Sequence, residues 1–406
     1  MPSYFLDRTL AYIIRMNVGI DGRPIERPAS RYRGVGMYTR RLCEALFARN
    51  RALGFPHRFT VAVSDGPVPG ERVLSYSLPA IRKPSRLQWV LDLWTLPKFL
   101  RQSRLDVFHA TEFTSIPTSR PTRVIAHVHD MIPFVFWAQY SRRIPADYRW
   151  ALRRARARLH CADCIITNSE HSKSDIVAMT GYAENRIHVV YCGTSGVAEG
   201  QAVEKSPGSK TPVSGSESAA IVGGRPYFLY VGGTDFRKNV VFLVRAFAAF
   251  SSRHPEARLV LAGETFCMQG LAEVAEICRE IENLRLPDRV WMPGFVQDAQ
   301  LRRLYEEAVA LVFPSLYEGF GLPVLEAMTL GTPVVAARTS SVPEILGETG
   351  LYFDPTQEDS LVQALETVYT SPSLRCELAV RARERARRFS WEGTAEKIFR
   401  IYQELQ

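Results

Sequence analysis

The 406-residue sequence has no run of about 18 apolar residues, so it lacks the signature of a membrane-spanning helix. Its seven cysteines are an odd number scattered over a long chain, which argues against a disulfide framework and fits a reducing cytosol. Cys161 and Cys164 form "CADC", but no second pair or histidine set follows at zinc spacing, so structural thiols are expected. No G-x-x-x-x-G-K-[ST] occurs, and "GVGMYT" does not complete G-x-G-x-x-G. P-loop and dinucleotide-oxidoreductase readings therefore lose support. There is no D-x-D pair in a loop position that would suggest a metal clamp. The opening "MPSYFLDRTLAYIIRM" has no basic front end or small-residue cleavage site, and Asp7 and Arg8 break its apolar patch. It does not read as a signal peptide, and a cytoplasmic protein is expected.

What is present is ordinary globular composition with uneven charge. The net charge is +9. Residues 1–200 hold 29 Lys+Arg against 16 Asp+Glu, a balance of +13, and the remainder holds 22 against 26, a balance of −4. A basic first half implies an anionic partner: nucleic acid, a membrane surface or a phosphorylated substrate.

Short apolar runs alternate with helical patterns twice along the chain. "MNVGIDG", "RFTVAVS", "LDVFHA", "TRVIAHVHD", "DCIITNS" and "NRIHVVY" are the strand candidates of the first half. "PYFLYVGG", "RLVLAG", "RVWMPGF", "ALVFPS", "TPVVAA" and "GLYFD" are those of the second. Continuous apolar strands between helices indicate parallel βαβ units. The expected fold is α/β, with two doubly wound Rossmann-like domains facing across a cleft. A Ser/Gly/Pro/Lys-rich stretch, 194–225, reads as a linker or mobile loop between domains at 1–193 and 226–389.

The segment Phe313–Val335, "FPSLYEGFGLPVLEAMTLGTPVV", joins a strand to a helix through a glycine-rich turn flanked by Glu318 and Glu326. Gly319 and Gly321 permit positive φ and close backbone approach. Pro323 marks the first helical turn. Free N–H groups of Gly321 and Leu322 at a helix start suit a phosphate. Glu326, expected in the first turn, can accept bonds from two neighbouring hydroxyls, as a ribose presents. Glu318 can meet hydroxyls on the opposite side of the phosphates. The bland alternatives are a helix-terminal acid stabilising the dipole and a structural cap.

Two glutamates eight apart around G-F-G-L-P resemble the signature of the retaining glycosyltransferases of family 4, which have the GT-B fold. "GIDGRP" with "RGVGMYTRRL", "HVHDMIPF", "ITNSEHSKSDI", "VGGTDFRKNV", "GFVQDAQLRRLYEEAVALVFPS" and "RRFSWEGTAEKIFRIY" resemble the family's other segments in order. Asn168 stands where the family often has valine, and Gly233 where it often has arginine. The resemblance implies that Lys238 and Arg237 neutralise the leaving diphosphate without a metal or other cofactor. It implies that Glu326 binds the nucleoside and that Glu318 contacts the donor sugar. His129, with Asp130 beside it, meets the transferred sugar, and Gly34 and Gly36 form an amino-terminal glycine loop near donor phosphate or acceptor. His127 alternates with His129 and is expected on the same side, and His109 is a weaker candidate expected to pack near the acceptor cleft. The terminal helix, about 390–406, is expected to rejoin the first domain.

The reading is a hexosyltransferase, with mannose or rhamnose favoured, acting from a nucleotide sugar on a glycan or lipid-linked acceptor. The rivals are a sugar-nucleotide epimerase and an inactive sugar-nucleotide-binding partner. "YRWALRRARARLH" sets Arg149, Arg153, Arg156 and His160 on one helical face, with Tyr148, Leu152, Ala155 and Leu159 on another. Together with Trp89, Trp94 and Phe99 in a nearby basic segment, these residues suggest an anionic membrane surface. No nucleic-acid reader motif is found. Residues 1–15 lie outside the resemblance, and a chain starting at Met16 is expected to fold.

Overall fold

A computed structural model describes residues 15–26, 34–63, 74–77, 86–119, 121–194, 197, 224–268 and 270–405. Residues 1–14, most of the 194–225 stretch and the Trp89 side chain lie outside the described residues. The chain divides into two compact units, 1–193 with 390–406, and 194–389.

The first unit contains a seven-stranded parallel sheet. Its strands are β1 (Asn17–Asp21), β2 (Arg58–Val63), β3 (Leu74–Ser77), β4 (Val107–Ala110), β5 (Arg123–Val128), β6 (Cys164–Thr167) and β7 (Ile187–Val189). Their order is β3-β2-β1-β4-β5-β6-β7. The chain winds outward from β1 and then returns to β4, so the topology reverses between these two strands. The second unit holds β8 (Tyr227–Val231), β9 (Arg258–Ala262), β10 (Val290–Gly294), β11 (Ala310–Phe313), β12 (Val334–Ala337) and β13 (Leu351–Phe353). Their order is β10-β9-β8-β11-β12-β13, and the reversal falls between β8 and β11. Ligands of open parallel sheets bind at the carboxyl ends of strands flanking such a reversal.

The strands are Val/Ile/Leu-rich because helices cover both faces. β4, β6, β8, β11 and β12 are buried at every position. β3, "LSYS", is the one strand that the apolar runs do not announce. It pairs only with β2, as an edge strand does, and its two serines interrupt the apolar pattern.

The terminal helix Trp391–Glu404 packs into the first unit. Phe399 lies against His57 and Phe59, and Thr394 Oγ1 donates to the Tyr191 carbonyl at 2.8 Å. Gly193 makes this possible, because a Cβ there would stand 2.6 Å from Trp391. Cys164 sits in the same core, where burial first, and then Asp163, push its thiol up to about 12.

Two surface expectations change. Phe99 is fully buried with Phe108 and Leu96, so it belongs to the core. Arg149 donates to the Ser141 carbonyl at 2.7 Å and the Ile144 carbonyl at 3.2 Å, fastening the preceding turn. Arg153 lies over Trp137 and Arg156 over Phe134, two rings that stack on each other. Tyr148, assigned to the apolar face by spacing, is 40% exposed, as is Trp150; Trp94 is 76% exposed.

Candidate active site

The loops after β8 and β11 lie side by side at the reversal of the second sheet. Gly321 opens the helix Leu322–Leu330 with φ +116, a conformation that favours glycine. Pro323 has no N–H, and the Val324 and Leu325 N–H groups donate to the Gly321 carbonyl, so the amide this helix start offers beyond Gly321 is that of Leu322. Glu326 is the fifth residue of that helix and sits in its second turn, one turn further in than its spacing from the glycines suggested. It is 4% exposed, and Tyr305 donates to its Oε2 at 2.7 Å. Tyr305 comes from the helix Asp298–Glu307 and is itself fully buried. Sequence reasoning missed Tyr305, because it continues the apolar face of Leu301 and Leu304.

Glu318 is the centre of an ion cluster. Its Oε1 lies 2.6 Å from Lys238 Nζ and its Oε2 lies 3.1 Å from Arg237 Nη1. Arg237 Nε in turn approaches Asp235 Oδ1 at 3.4 Å. Desolvation, the largest influence, raises the Glu318 carboxyl, but Lys238 and Arg237 together outweigh it and hold it below the usual range. For Lys238 the balance falls the other way: burial lowers its ammonium more than Glu318 restores it.

The backbone of this loop is pinned. The Glu318 N–H donates to Ser340 Oγ at 2.8 Å, while Ser341 Oγ donates to the carbonyls of Glu318 and Phe320. Arg237 also donates to the Tyr317 carbonyl, and Leu316 N–H donates to the Arg237 carbonyl. Two residues beyond β8, Gly233 receives the Tyr230 hydroxyl on its carbonyl, and a Cβ at Gly233 would meet nothing nearer than Thr265 at 3.7 Å. There is room at this position for a side chain that the sequence does not supply. Sequence positions 80 and 81 apart, Arg237 with Tyr317 and with Glu318, thus converge on one point.

The first unit gathers different chemistry at β4, β5 and β6. His109, His127 and His129 form a ladder, with ring centroids 5.8 Å and 4.4 Å apart. Asn168 bridges two of them: His127 Nε2 donates to its Oδ1 at 2.9 Å, and its Nδ2 donates to His129 Nδ1 at 3.0 Å. His129 Nε2 donates to the Thr111 carbonyl at 3.0 Å. Both nitrogens of His129 are therefore engaged inside the unit, and the ring is neutral. Burial, first, drives His109 down to about 3 and His129 to about 4, and lowers His127 well below its ordinary value. His109 Nδ1 meets the Tyr402 hydroxyl at 3.0 Å, tying the terminal helix to the sheet.

Asp130 accepts from the Ile132 N–H at the start of the short helix Ile132–Val135. Gly34 precedes the helix Val35–Ala52 with φ +67, and Gly36 is buried in its first turn beside Tyr38. Asp21, at the end of β1, is buried and holds Arg23 through both carboxylate oxygens. The structure brings Arg237, Lys238 and Glu318 into direct contact. Glu326, Gly321 and Leu322 share the helix next to them, and His129, Gly34 and Gly36 belong to the other unit. Among the described residues, no group of three or more His, Cys, Asp or Glu is arranged to hold a metal ion. No described helix is long and apolar enough to cross a membrane.

Two parallel Rossmann-like α/β units define a protein of the GT-B class. A family profile described as "Glycosyl transferases group 1" matches residues 216–389, and one described as "Glycosyltransferase Family 4" matches residues 32–195. The O-antigen chain mannosyltransferase B of Escherichia coli is 30% identical over 75% of this chain and 76% of its own length. The serotype-specific mannosyltransferase WbdA of Escherichia coli is 28% identical over 71% of this chain, a match spanning 34% of that longer protein. Sucrose-phosphate synthase from Thermosynechococcus elongatus superposes with a TM-score of 0.72 at 22% identity, covering 96% of this chain and 99% of that one. The chain belongs to glycosyltransferase family 4 and is a nucleotide-sugar-dependent glycosyltransferase.

Proposed function

We propose that the protein is a retaining hexosyltransferase that moves mannose, or by analogy rhamnose, from a nucleotide sugar to a glycan or lipid-linked oligosaccharide. The single observation that carries this reading is the cluster of Arg237, Lys238 and Glu318 beside the helix start at Gly321. In this reading the amides of Gly321 and Leu322 and the cations of Arg237 and Lys238 receive the diphosphate. The departing nucleoside diphosphate gains negative charge as the glycosidic bond breaks, and fixed cations at that point lower the barrier. Glu326, oriented by Tyr305, binds the ribose, and Glu318 receives hydroxyls of the sugar. The mannosyl preference draws on the mannosyltransferase relatives alone.

The unit of residues 1–193 and 390–406 is assigned the acceptor, with Gly34 and Gly36 in its glycine loop. His129 serves the transferred sugar, for which its Nε2 must exchange the Thr111 carbonyl for a sugar hydroxyl. The unit of residues 226–389 is assigned the donor, and residues 194–225 the linker. A shallow, solvent-open groove lined by Leu96, Ile116, Trp150, Ala151, Arg154 and Arg158 is compatible in its lining with an acceptor that has apolar and anionic parts. The +13 balance of residues 1–200 and the exposed Trp94, Tyr148 and Trp150 support contact with the anionic inner membrane face.

Thermal shift with GDP-mannose, UDP-glucose, ADP-glucose and dTDP-rhamnose identifies the donor, since a ligand of the native state raises Tm. Transfer to an added glycan or lipid-linked acceptor then separates the transferase from an epimerase and from an inactive binding protein. Retention is read from the anomeric proton of the product. Activity is expected to persist in EDTA; loss restored by magnesium or manganese contradicts the metal-free assignment.

A further inference from the structure

We infer that Glu318 sets the preference of the site for the intact nucleotide sugar over its own nucleoside diphosphate product. It does so by occupying the phosphate-binding cations until a sugar arrives to take its carboxylate. The inference rests on the assignment of Arg237 and Lys238 to the diphosphate.

Among the described residues the cluster contains two bases, Arg237 and Lys238, and two acids, Asp235 and Glu318, and the formal charge of these four is zero. A diphosphate brought to these bases adds net negative charge to a set that is already matched, in a place where water is largely excluded. That is unfavourable unless a carboxylate gives up its cations. Asp235 has a side chain 32% exposed and can turn to water. The Glu318 side chain is 10% exposed and cannot. Its backbone is fastened at the N–H by Ser340 and at the carbonyl by Ser341, so it cannot leave with its loop. What remains free is rotation of the side chain.

A carboxylate only accepts hydrogen bonds, so a displaced Glu318 needs new donors. Among the nearby hydroxyls, Ser341 Oγ donates to two loop carbonyls, Ser340 Oγ accepts the Glu318 N–H, and the Ser315 hydroxyl lies beside the carboxylate; such neutral donors alone do not replace an ammonium and a guanidinium. The hydroxyls of the sugar on the donor's own diphosphate are the groups that arrive at the right moment. An intact nucleotide sugar therefore supplies both halves of the exchange: phosphates for the cations and hydroxyls for the carboxylate. The free nucleoside diphosphate supplies only the first half and leaves a buried carboxylate uncompensated. Once transfer has removed the sugar, Glu318 competes again for Lys238 and Arg237, which favours product release.

The experiment is calorimetry with the matched pairs GDP-mannose/GDP, UDP-glucose/UDP, ADP-glucose/ADP and dTDP-rhamnose/dTDP. It uses whichever pair binds the wild-type chain, with inorganic pyrophosphate as a further probe. Glu318→Gln keeps the side-chain shape and removes the competing charge. The diphosphate and pyrophosphate are expected to bind about tenfold tighter to it, while the nucleotide sugar gains nothing, so the selectivity ratio falls by about that factor. Lys238→Ala is expected to weaken both members of the pair. If Lys238→Ala weakens both but Glu318→Gln leaves the diphosphate unchanged or weaker, the exchange is wrong and the diphosphate assignment stands. If Lys238→Ala leaves both unchanged, the assignment and the inference fall together. Should Glu318→Gln not fold, crystal structures of the wild-type chain with each member of the pair decide. A Lys238–Glu318 contact broken in the nucleotide-sugar complex supports the exchange. The contact retained with phosphate on Lys238 overturns it.

Discussion

At the carboxyl ends of β4, β5 and β6 the histidines are neutral, and one hydrogen-bonded chain runs from His127 through Asn168 and His129 to Thr111, while His109 Nε2 and His127 Nδ1 are buried without a partner among the described residues. At the ends of β8 and β11 they are fully charged, and Glu318, Arg237, Lys238 and Asp235 are neutral only as a set. The two edges come from sheets of the same parallel type, with the topological reversal in the same place. The difference lies in how each pays for burial. The histidine ladder gave up its charge, so it is a shaped, hydrogen-bonding wall. The ion cluster kept its charges, so its members can trade partners with an anionic ligand.

The sharpest way to break this contrast is to remove a cation from the charged edge. Lys238→Ala is expected to lower turnover by about 10²–10³-fold, the usual effect of deleting one donor to a developing charge. Its loss in kcat should exceed its loss in donor affinity, because the diphosphate charge grows toward the transition state. Single-turnover rates set against calorimetric Kd values check this. Equal losses in both would make Lys238 a ground-state contact only.

Acid should strike the neutral edge before the charged one. His109, His127 and His129 have folded-state values depressed below 6.5, so the unfolded chain binds more protons as pH falls. Their contribution is fully present above about pH 6.5 and is lost progressively toward pH 4, by a few kcal/mol in the unit that holds them. Glu318, with a depressed carboxyl, loses its contribution only below its ordinary range near 4.5. Melting of the chain followed from pH 8 to pH 4, with near-ultraviolet dichroism and calorimetry as reporters, is expected to show this order. A melting temperature flat between pH 6.5 and 5 would mean the ladder is charged or open in solution.

Asn168→Val cuts the ladder in the middle and leaves a His127 N–H and a His129 nitrogen without their partner. A destabilisation of about 1–3 kcal/mol is expected, measured by urea denaturation. Tyr305→Phe makes a similar cut beside the charged edge, removing one neutral donor to Glu326. It is expected to weaken nucleotide binding by about fivefold to tenfold, near 1 kcal/mol, and to have no further effect in a Glu326→Ala background. Additive losses in that double variant would show that Tyr305 acts independently of Glu326. The smallest effect belongs to the surface. Arg153→Glu/Arg156→Glu should reduce cosedimentation with anionic vesicles at low salt by a few-fold and leave transfer to a soluble acceptor unchanged. Equal partitioning of both proteins would remove that helix as the membrane contact.

Much of the architecture was legible because parallel strands buried on both faces must be continuous apolar runs. "VVAA" and "ALVF" can hardly be anything else between two helical patterns. β3 escaped because an edge strand need not be apolar throughout, and "LSYS" is not. The turn at Gly321 was legible from its glycines and Pro323, since few residues accept φ +116 at a helix start. The surface reading of Phe99 and Arg149 went astray because a basic neighbourhood says nothing about which way one ring faces or which carbonyls one guanidinium reaches.

By itself, then, the sequence determined the two parallel α/β units, the helix start at Gly321 and the residue types gathered near it. These follow from backbone sterics and local burial, which act over a few residues. Only the tertiary structure decided that Glu318 faces Lys238 across 80 positions, that Tyr305 holds Glu326, and that Asn168 joins two histidines about 40 residues away. Those pairings depend on which strands lie side by side in each sheet. Hydrogen bonds and ion pairs act over about 3 Å of space, and no spacing along the chain reports that distance.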